Sequence, residues 1–130
     1  MRFEGQVACV TGGGSGIGRV IAERFASEGG RVVVNDLDGG AAEATVKALS
    51  GEGHLVAQGD VTDAARIAEI FDEVDAKLGR IDLMVNNAGV DTVRGDGRDE
   101  MMQKGEPSIL NMSLEAWSRM LAIHLNGSFN

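Results

Sequence analysis

The chain has 130 residues, with 12 basic and 20 acidic side chains and a net charge of −8. A chain of this length suits a single domain. The acidic balance argues against binding to nucleic acid, which relies on lysine and arginine to neutralise phosphates, and against binding to an anionic membrane surface.

Strands and helices are predicted to alternate along the chain. The apolar, β-branched runs QVACVT, RVVVN, HLVAQ and IDLMVNN predict four strands. Apolar residues at helical spacing follow the first three strands; in the first helix they are Ile17, Val20, Ile21 and Phe25. Alternating strands and helices form parallel sheets through right-handed crossovers, so we expect an α/β fold with a doubly wound parallel sheet.

The ends of the helices carry their own signals. The Gly29–Gly30 pair is expected to stop the first helix, and either Thr62 or Asp63 is expected to cap the third. Gly79 suits the C-terminal cap of that third helix. Ser113 is expected to cap a last helix. The apolar face of this last helix is predicted to hold Trp117, Leu121 and Leu125.

A long polar stretch spans residues 90–112 and contains the only proline, Pro107. A short helix from Glu100 to Lys104 is compatible with its sequence. Two interpretations stay open. The stretch either shapes access to a site, with Met101 and Met102 as an adaptable apolar wall, or it is a variable surface insertion.

Signals for targeting and for cysteine chemistry are few. The N-terminal stretch MRFEGQVACVTGG has no long apolar run, so no signal peptide is expected, and no segment approaches the length of a membrane span. The single cysteine, Cys9, lies in an apolar run and is expected to be a small core residue. We therefore expect a cytoplasmic protein without a metal site.

A glycine-rich segment joins the first strand to the first helix. Thr11, Gly12, Gly16 and Gly18 form the pattern T-G-x-x-x-G-x-G. Glycines permit the tight turn and the close approach of a ligand to the backbone, and the free N–H groups at a helix N-terminus attract phosphate. A glycine loop alone is weak evidence, because a flexible surface turn has a similar composition.

An acidic residue supports the nucleotide interpretation. Asp36 ends the second strand 18 residues after Gly18, close to the interval of roughly 20 residues expected for an acid that binds a ribose. Its carboxylate would accept hydrogen bonds from the ribose hydroxyls and repel the 2′-phosphate of NADP. Ser15 and Leu37 offer no positive charge to that phosphate, so NAD is predicted as the cofactor. The alternative for Asp36 is a solvated loop acid, which is what we expect of Asp38.

Two further motifs extend the pattern. The segment GDV occupies residues 59–61, after the third strand, and NNAG occupies residues 86–89, after the fourth. Together with TGGGSGIG and the acid at Asp36, these motifs resemble the short-chain dehydrogenase/reductase family in type and order. The resemblance covers nearly the whole chain and is least clear between residues 90 and 112. It implies a Rossmann-like sheet with strand order 3-2-1-4.

The resemblance also implies roles for particular residues. Asp60 should contact the adenine amino group, and Val61 should lie beside the adenine ring. Asn86 should mainly tie the central strands together. The cofactor-binding set is then predicted to be Gly12, Ser15, Gly16, Ile17, Gly18, Asp36, Leu37, Asp60, Val61, Asn87, Ala88 and Gly89.

The implied activity is hydride transfer between NAD and a small alcohol or carbonyl substrate. In this family the proton is handled by a tyrosine, with a lysine four residues later and a serine upstream, all in the second half of the fold. This sequence contains no tyrosine. We therefore expect residues 1–130 to be one dinucleotide-binding domain, truncated at its C-terminal end and inactive alone, from a protein that is a homo-oligomer at full length.

The chain has two histidines, and only one of them is a candidate for chemistry. His124 occupies the position at which the family often has a catalytic asparagine, so it is a candidate catalytic residue; the alternative is a packing histidine on the face of Trp117 and Leu121. His54 has no evident partner and is assigned no role.

The fourth strand is expected to lie at an edge of the sheet. The segment IDLMVNN would form a long apolar edge strand there, because no further strand follows it in this sequence. Exposed apolar edges invite pairing with other chains, so we expect this piece to be marginally stable or prone to aggregation.

Other functions remain open on the sequence. A non-catalytic NAD-binding module would have the same glycine loop and the same Asp36, and it would bind the cofactor without turnover. A methyltransferase also uses a glycine loop and an acid after its second strand. The combination of TGGGSGIG with NNAG argues against the methyltransferase.

Overall fold

The computed structural model describes residues 1–90 and 112–130. Within them, four parallel strands form one sheet in the order β3-β2-β1-β4, which confirms the predicted topology. The strands are β1 (Val7–Thr11), β2 (Arg31–Asp36), β3 (Leu55–Gln58) and β4 (Leu83–Val85). The expected short helix at 100–104, and most of the polar stretch 90–112, lie outside the described residues.

The helices follow the strands as the sequence predicts. They are α1 (Gly16–Ser27), α2 (Gly39–Ala48), α3 (Ala64–Leu78) and α4 (Leu114–Leu121), and α4 continues through a π-helical segment (Ala122–Asn126) into a last turn, α5 (Gly127–Phe129). None of these helices, in the part of the chain that the structure describes, is long and apolar enough to cross a membrane.

Each face of the sheet is covered by a separate apolar cluster. Alternate residues of a strand point to opposite faces, so neighbouring residues of β1 join different clusters. Ala8 and Val10 belong to the cluster under α1 and α2. Val7 and Cys9 belong to the cluster under α3. Burial raises the pKa of the Cys9 thiol to about 11, which keeps it in its neutral form as expected of a core residue.

The apolar face of α1 differs from the prediction. Ile17 is 74% exposed and Val20 is 63% exposed, whereas their spacing predicts that both pack against the sheet. The buried residues of α1 are instead Gly18, Ala22, Phe25 and Ala26. Small residues on this face allow the helix backbone to come close to the strands and the glycine loop, so the larger aliphatic side chains lie on the other side.

Side chains cap three helices at their N-termini. Asp63, rather than Thr62, caps α3 by accepting the backbone N–H of Arg66 at 3.0 Å. The backbone N–H of Ala116 donates to the Ser113 hydroxyl at 3.0 Å, as predicted. Asp38, which the sequence suggests is only a solvated acid, caps α2 through Ala41 at 3.1 Å. At the other end of α3, Gly79 has φ = 74°, the left-handed conformation that favours glycine.

His54 has two backbone partners that the sequence does not reveal. Its Nδ1 accepts the backbone N–H of Val32 at 3.0 Å, and its Nε2 donates to the carbonyl of Ser50 at 3.0 Å. The imidazole therefore completes the hydrogen bonding of β2 just before β3 begins. This corrects the expectation that His54 has no partner.

The edge strand and the last helix also differ from the predictions. Strand β4 covers only three residues because the chain leaves the ladder at Asn86, so the expected long edge is short. It remains apolar, with Leu83 44% and Met84 38% exposed.

In the last helix, Leu125 is 62% exposed and Ala116 is the buried residue. Trp117 is also 44% exposed, so the predicted apolar face is only partly buried. Leu125 lies in the π-helical segment, whose wider i→i+5 turns break the spacing of an α-helix.

Candidate functional site

A cavity of about 650 Å³ opens at the carboxyl ends of the strands. This edge of a doubly wound sheet is where ligands bind in open α/β folds, because the connections diverge there to opposite faces. The cavity is lined by Gly12, Ser15, Gly16, Ile17, Asn35, Asp36, Leu37, Asp38, Gly59, Asp60, Val61, Asn87, Ala88, Gly89, Val90 and Ile123.

The glycine loop forms one wall of this cavity. Gly12 and Gly16 have φ values of 64° and 51°, which side chains with a Cβ rarely adopt. A Cβ at Gly16 would have no neighbour within 4 Å, so it would project into open space beside the loop. A Cβ at Gly18 would instead lie 2.5 Å from Nδ2 of Asn87. The loop therefore needs glycine for its turn at the first two positions and for close packing at the third.

The N-terminus of α1 has no side-chain cap. Ser15 is its N-cap residue in extended backbone, and the Ser15 side chain makes no capping hydrogen bond. Helices α2, α3 and α4 in the described residues all have one. The first N–H groups of α1 are therefore without a side-chain acceptor at the cavity wall, where an anion can bind them.

Hydrogen bonds join the glycine loop to the end of β4. The Thr11 hydroxyl accepts the backbone N–H groups of Asn87 at 3.1 Å and of Ala88 at 3.0 Å. The Asn87 side chain donates to the carbonyls of Thr11 at 3.0 Å and of Gly12 at 3.3 Å. Asn87 thus makes the connection expected of Asn86, whose side chain makes no hydrogen bond to another described residue. The reason is that β4 ends at Val85, so Asn87 is the residue that reaches the end of β1.

The Asp36 carboxylate is held by two backbone donors. Its Oδ2 accepts the N–H of Gly14 at 2.8 Å, and its Oδ1 accepts the N–H of Asp38 at 3.0 Å. Each carboxylate oxygen keeps a second lone pair for a further donor. The described lining of the cavity includes three aspartates, Asp36, Asp38 and Asp60, and no lysine or arginine. The cavity is therefore anionic beside Asp36.

The GDV segment lies beside Asp36, whose backbone carbonyl accepts the N–H of Gly59 at 3.1 Å. One carboxylate oxygen of Asp60, Oδ1, accepts both the backbone N–H of Thr62 at 2.9 Å and its hydroxyl at 2.8 Å. The Val61 carbonyl accepts the side-chain amide of Asn130 at 3.1 Å. The Val61 side chain packs against the last helical turn, where a Cβ at Gly127 would lie 2.6 Å from Cγ2 of Val61.

His124 contacts the segment that follows β4. Its Nε2 lies 3.1 Å from the backbone nitrogen and 2.8 Å from the carbonyl oxygen of Val90, so it either accepts from the first or donates to the second. Gly89 packs against the same imidazole, because a Cβ there would lie 2.5 Å from Cε1 of His124. The side chain is exposed and bound to backbone, which differs from packing among the apolar residues of the last helix.

Most of the predicted cofactor residues come together in the cavity. All of them line it except Gly18, which lies beneath the loop against Asn87. Their binding of a cofactor stays a prediction. Five lining residues lie outside the predicted cofactor-binding set, namely Asn35, Asp38, Gly59, Val90 and Ile123. Four of these are next to a predicted cofactor-binding residue in the sequence, and Ile123 is next to the candidate catalytic residue His124. This adjacency is the sequence signal that could have identified them.

Thr11 has a larger structural role than the sequence suggests. In the sequence it is only the first residue of the glycine motif. In the structure its hydroxyl accepts hydrogen bonds from two successive residues after β4, Asn87 and Ala88. The available signal is its place as the last residue of a buried strand, where a polar side chain must find partners.

Metal ligands do not gather around this cavity or elsewhere in the described structure. Within residues 1–90 and 112–130, no group of three or more histidine, cysteine, aspartate or glutamate side chains is arranged to hold a metal ion.

Comparison with known proteins gives consistent matches. The model of the family described as short chain dehydrogenase matches residues 6–130. D-threitol dehydrogenase of Mycolicibacterium smegmatis is 40% identical over 130 residues, which cover 98% of this chain and 45% of that protein. Meso-2,3-butanediol dehydrogenase of Serratia marcescens is 34% identical over 127 residues, with 98% and 45% coverage.

Solved structures share the fold. The 3-ketoacyl-(acyl-carrier-protein) reductase from Brucella melitensis, complexed with NADH, aligns with a TM-score of 0.83 and 28% identity over 97% of this chain and 47% of that chain. A short chain dehydrogenase from Bacillus anthracis aligns with a TM-score of 0.78 and 31% identity, covering 96% of this chain and 47% of that chain. The chain thus spans about half the length of the relatives it matches.

Proposed function

The chain belongs to the short-chain dehydrogenase family, and from that membership we propose that it binds NAD, in preference to NADP, in the cavity at the carboxyl ends of its strands. The observation that carries this proposal is the Asp36 carboxylate, which accepts the N–H groups of Gly14 and Asp38. The described lining of the cavity around it contains no lysine or arginine. A fixed anion there favours ribose hydroxyls, which donate, and disfavours a ribose phosphate, which is itself anionic.

The phosphates of NAD would lie at the glycine loop. Gly16 has open space where a Cβ would project, so a pyrophosphate can approach the backbone closely. The uncapped N-terminus of α1 offers N–H donors and the positive end of the helix dipole. These backbone features can bind the pyrophosphate, which carries two negative charges, without a lysine or arginine side chain.

The adenosine and the nicotinamide would occupy opposite ends of the cavity. Asp60 and Val61 provide one end, beside Asp36 and Leu37. The segment from Asn87 to Gly89 provides the other end, toward the Val90 backbone that His124 contacts. Bound NAD supplies the hydride acceptor or donor. Within this chain, the hydrogen bonds between the glycine loop and the end of β4 hold the two walls together.

For the whole protein we propose hydride transfer between NAD and a small alcohol or carbonyl substrate, with this chain as the cofactor-binding half. The chain contains no tyrosine, so these 130 residues alone are expected to bind NAD without turnover. A cytosolic location and a homo-oligomeric state belong to the same proposal. The family resemblance supports the homo-oligomeric state of the full-length protein.

Calorimetric titration tests the cofactor proposal. The protein is titrated separately with NADH, NADPH and S-adenosylmethionine, and the three dissociation constants are compared. The proposal expects NADH to bind most tightly and NADPH at least about tenfold more weakly, since a phosphate beside a fixed carboxylate is penalised. Tighter binding of NADPH would contradict the role of Asp36. Binding of S-adenosylmethionine in preference to both dinucleotides would indicate a methyltransferase.

A further inference from the structure

Asp60 lines the cavity, and its two carboxylate oxygens differ in their hydrogen bonding. Oδ1 accepts two donors from one residue, the backbone N–H of Thr62 at 2.9 Å and its hydroxyl at 2.8 Å. An ionised carboxylate oxygen has two lone-pair positions, so Oδ1 is fully used. Oδ2 has no hydrogen-bond partner among residues 1–90 and 112–130. It is the oxygen left to accept a donor from a ligand.

The residue after Asp60 is held by contacts with the C-terminal end of the chain. The next residue, Val61, is 7% exposed, and its side chain packs against Gly127. The Val61 carbonyl accepts the side-chain amide of Asn130 at 3.1 Å. Because the backbone is held in this way, the direction of Oδ2 depends on rotation of the Asp60 side chain. The Thr62 hydroxyl restrains that rotation.

From these contacts we propose that Thr62 is a positioning residue, which aims Oδ2 of Asp60 at the exocyclic amino group of adenine and so makes the cavity selective for adenine. The inference rests on the proposed function, because it assumes a dinucleotide in this cavity. The chemistry is directional: an aspartate only accepts hydrogen bonds and the adenine amino group only donates. Hypoxanthine has a carbonyl oxygen at the same position, which would face the carboxylate with no proton between them.

The experiment compares NADH with reduced deamino-NAD, in which hypoxanthine replaces adenine. Dissociation constants are measured for the wild-type protein, Thr62→Val and Thr62→Ser by titration of the reduced nicotinamide fluorescence. Valine keeps the shape of threonine and its backbone N–H but removes the hydroxyl, and serine restores the hydroxyl. Thermal melting of each variant without ligand separates a loss of stability from a loss of selectivity.

The wild-type protein is expected to prefer NADH. In Thr62→Val the ratio of the two dissociation constants should fall by about three- to tenfold, the range of a single hydrogen bond, and Thr62→Ser should keep the wild-type ratio. An unchanged ratio in Thr62→Val, even with a lower melting temperature, would overturn the positioning role. A loss of selectivity in Thr62→Ser as large as that in Thr62→Val would overturn it too.

The outcomes for the wild-type protein separate this inference from the proposed function. If NADH and reduced deamino-NAD bind equally well, dinucleotide binding stands, and the recognition of the adenine amino group by Asp60 and Thr62 fails. If neither dinucleotide binds, the proposed function fails, and this inference fails with it.

Discussion

Thr11 and Asn87 are joined by two reciprocal hydrogen bonds. The Thr11 hydroxyl accepts the Asn87 backbone N–H at 3.1 Å, and the Asn87 side chain donates to the Thr11 carbonyl at 3.0 Å. The pair links the end of β1, where the glycine loop begins, to the segment after β4. Both walls of the proposed cofactor cavity are therefore held at a fixed separation before any ligand binds, which lowers the ordering cost of binding.

Thr11→Val should weaken this link. The variant keeps the shape of the side chain but leaves the N–H of Ala88 without its acceptor, and the N–H of Asn87 with only the Val85 carbonyl at 3.0 Å. We expect a loss of about 1–3 kcal/mol in the free energy of unfolding, the usual cost of unsatisfied buried donors, together with weaker NADH binding. Urea denaturation followed by circular dichroism measures the first effect. Thr11→Ser retains the hydroxyl and is the matched control; equal stability of the valine and serine variants would contradict the link.

Gly18→Ala should disrupt the glycine loop. The added Cβ would lie 2.5 Å from Nδ2 of Asn87, and neither the loop backbone nor this bonded amide can move without breaking hydrogen bonds. We expect a lower melting temperature and at least a tenfold loss of NADH affinity. The matched control is Gly40→Ala on α2, whose Cβ meets only an ordinary contact at 3.4 Å from Asp38. That variant should keep the wild-type melting temperature and NADH affinity, because Gly40 lies in the first turn of α2 and outside the cavity lining. Normal NADH affinity in Gly18→Ala would contradict the packing argument.

Asp36→Ala should reduce the preference for NADH over NADPH. Removing the carboxylate takes away the acceptor for the ribose hydroxyls and the charge that repels the 2′-phosphate. NADH should bind more weakly and NADPH more strongly, so the ratio of their dissociation constants should move toward one. The control is Asp63→Asn, which removes an acid outside the cavity and keeps a residue that caps helices well. If the ratio is the same in Asp36→Ala as in wild type, Asp36 does not set the preference.

Asp82 should contribute to the acid sensitivity of the fold. Its carboxylate bonds to Arg80 and accepts the backbone N–H of Val7 at 2.8 Å, and these bonds lower the pKa of Asp82 from its ordinary 3.8. A lowered pKa in the folded state means that the stabilisation is complete above pH 3.8 and is lost as the pH falls below it.

The variant Asp82→Asn removes this charge without changing the side-chain size. Its melting temperature should be below that of wild type at pH 7, and the two should converge as the pH drops from about 4 toward 2. Melting curves recorded across that range by circular dichroism provide the test. A difference in melting temperature that stays constant down to pH 2 would show that the Asp82 charge is not involved.

The sequence predicts the sheet well because the relevant signals are local. Buried parallel strands appear as short apolar runs, and glycine or an N-cap residue marks the helix ends, as at Gly79 and Ser113. The three motifs then place their residues at one edge, since every parallel strand ends on the same side of the sheet. This is why the predicted residues from Gly12 to Gly89 meet around one cavity.

The features that the sequence does not reveal depend on tertiary contacts. Ile17 and Val20 have the spacing of a buried face, but α1 approaches the sheet through its glycine and alanine residues instead. His54 finds its partners in β2 and just after α2, on elements that precede it in the chain. The choice of Asn87 over Asn86 depends on where β4 leaves the ladder, which a residue pattern does not fix.

The proposal tested first is that NAD binds in the cavity at the carboxyl ends of the strands. The most direct measurement is a titration of the ¹⁵N-labelled protein with NADH, followed residue by residue through its amide NMR signals. We expect saturable shifts for amides of the glycine loop, Asp36, Asp60 and Gly89, with little change along α3. No shift at saturating NADH, or shifts confined to residues outside this cavity, would contradict it.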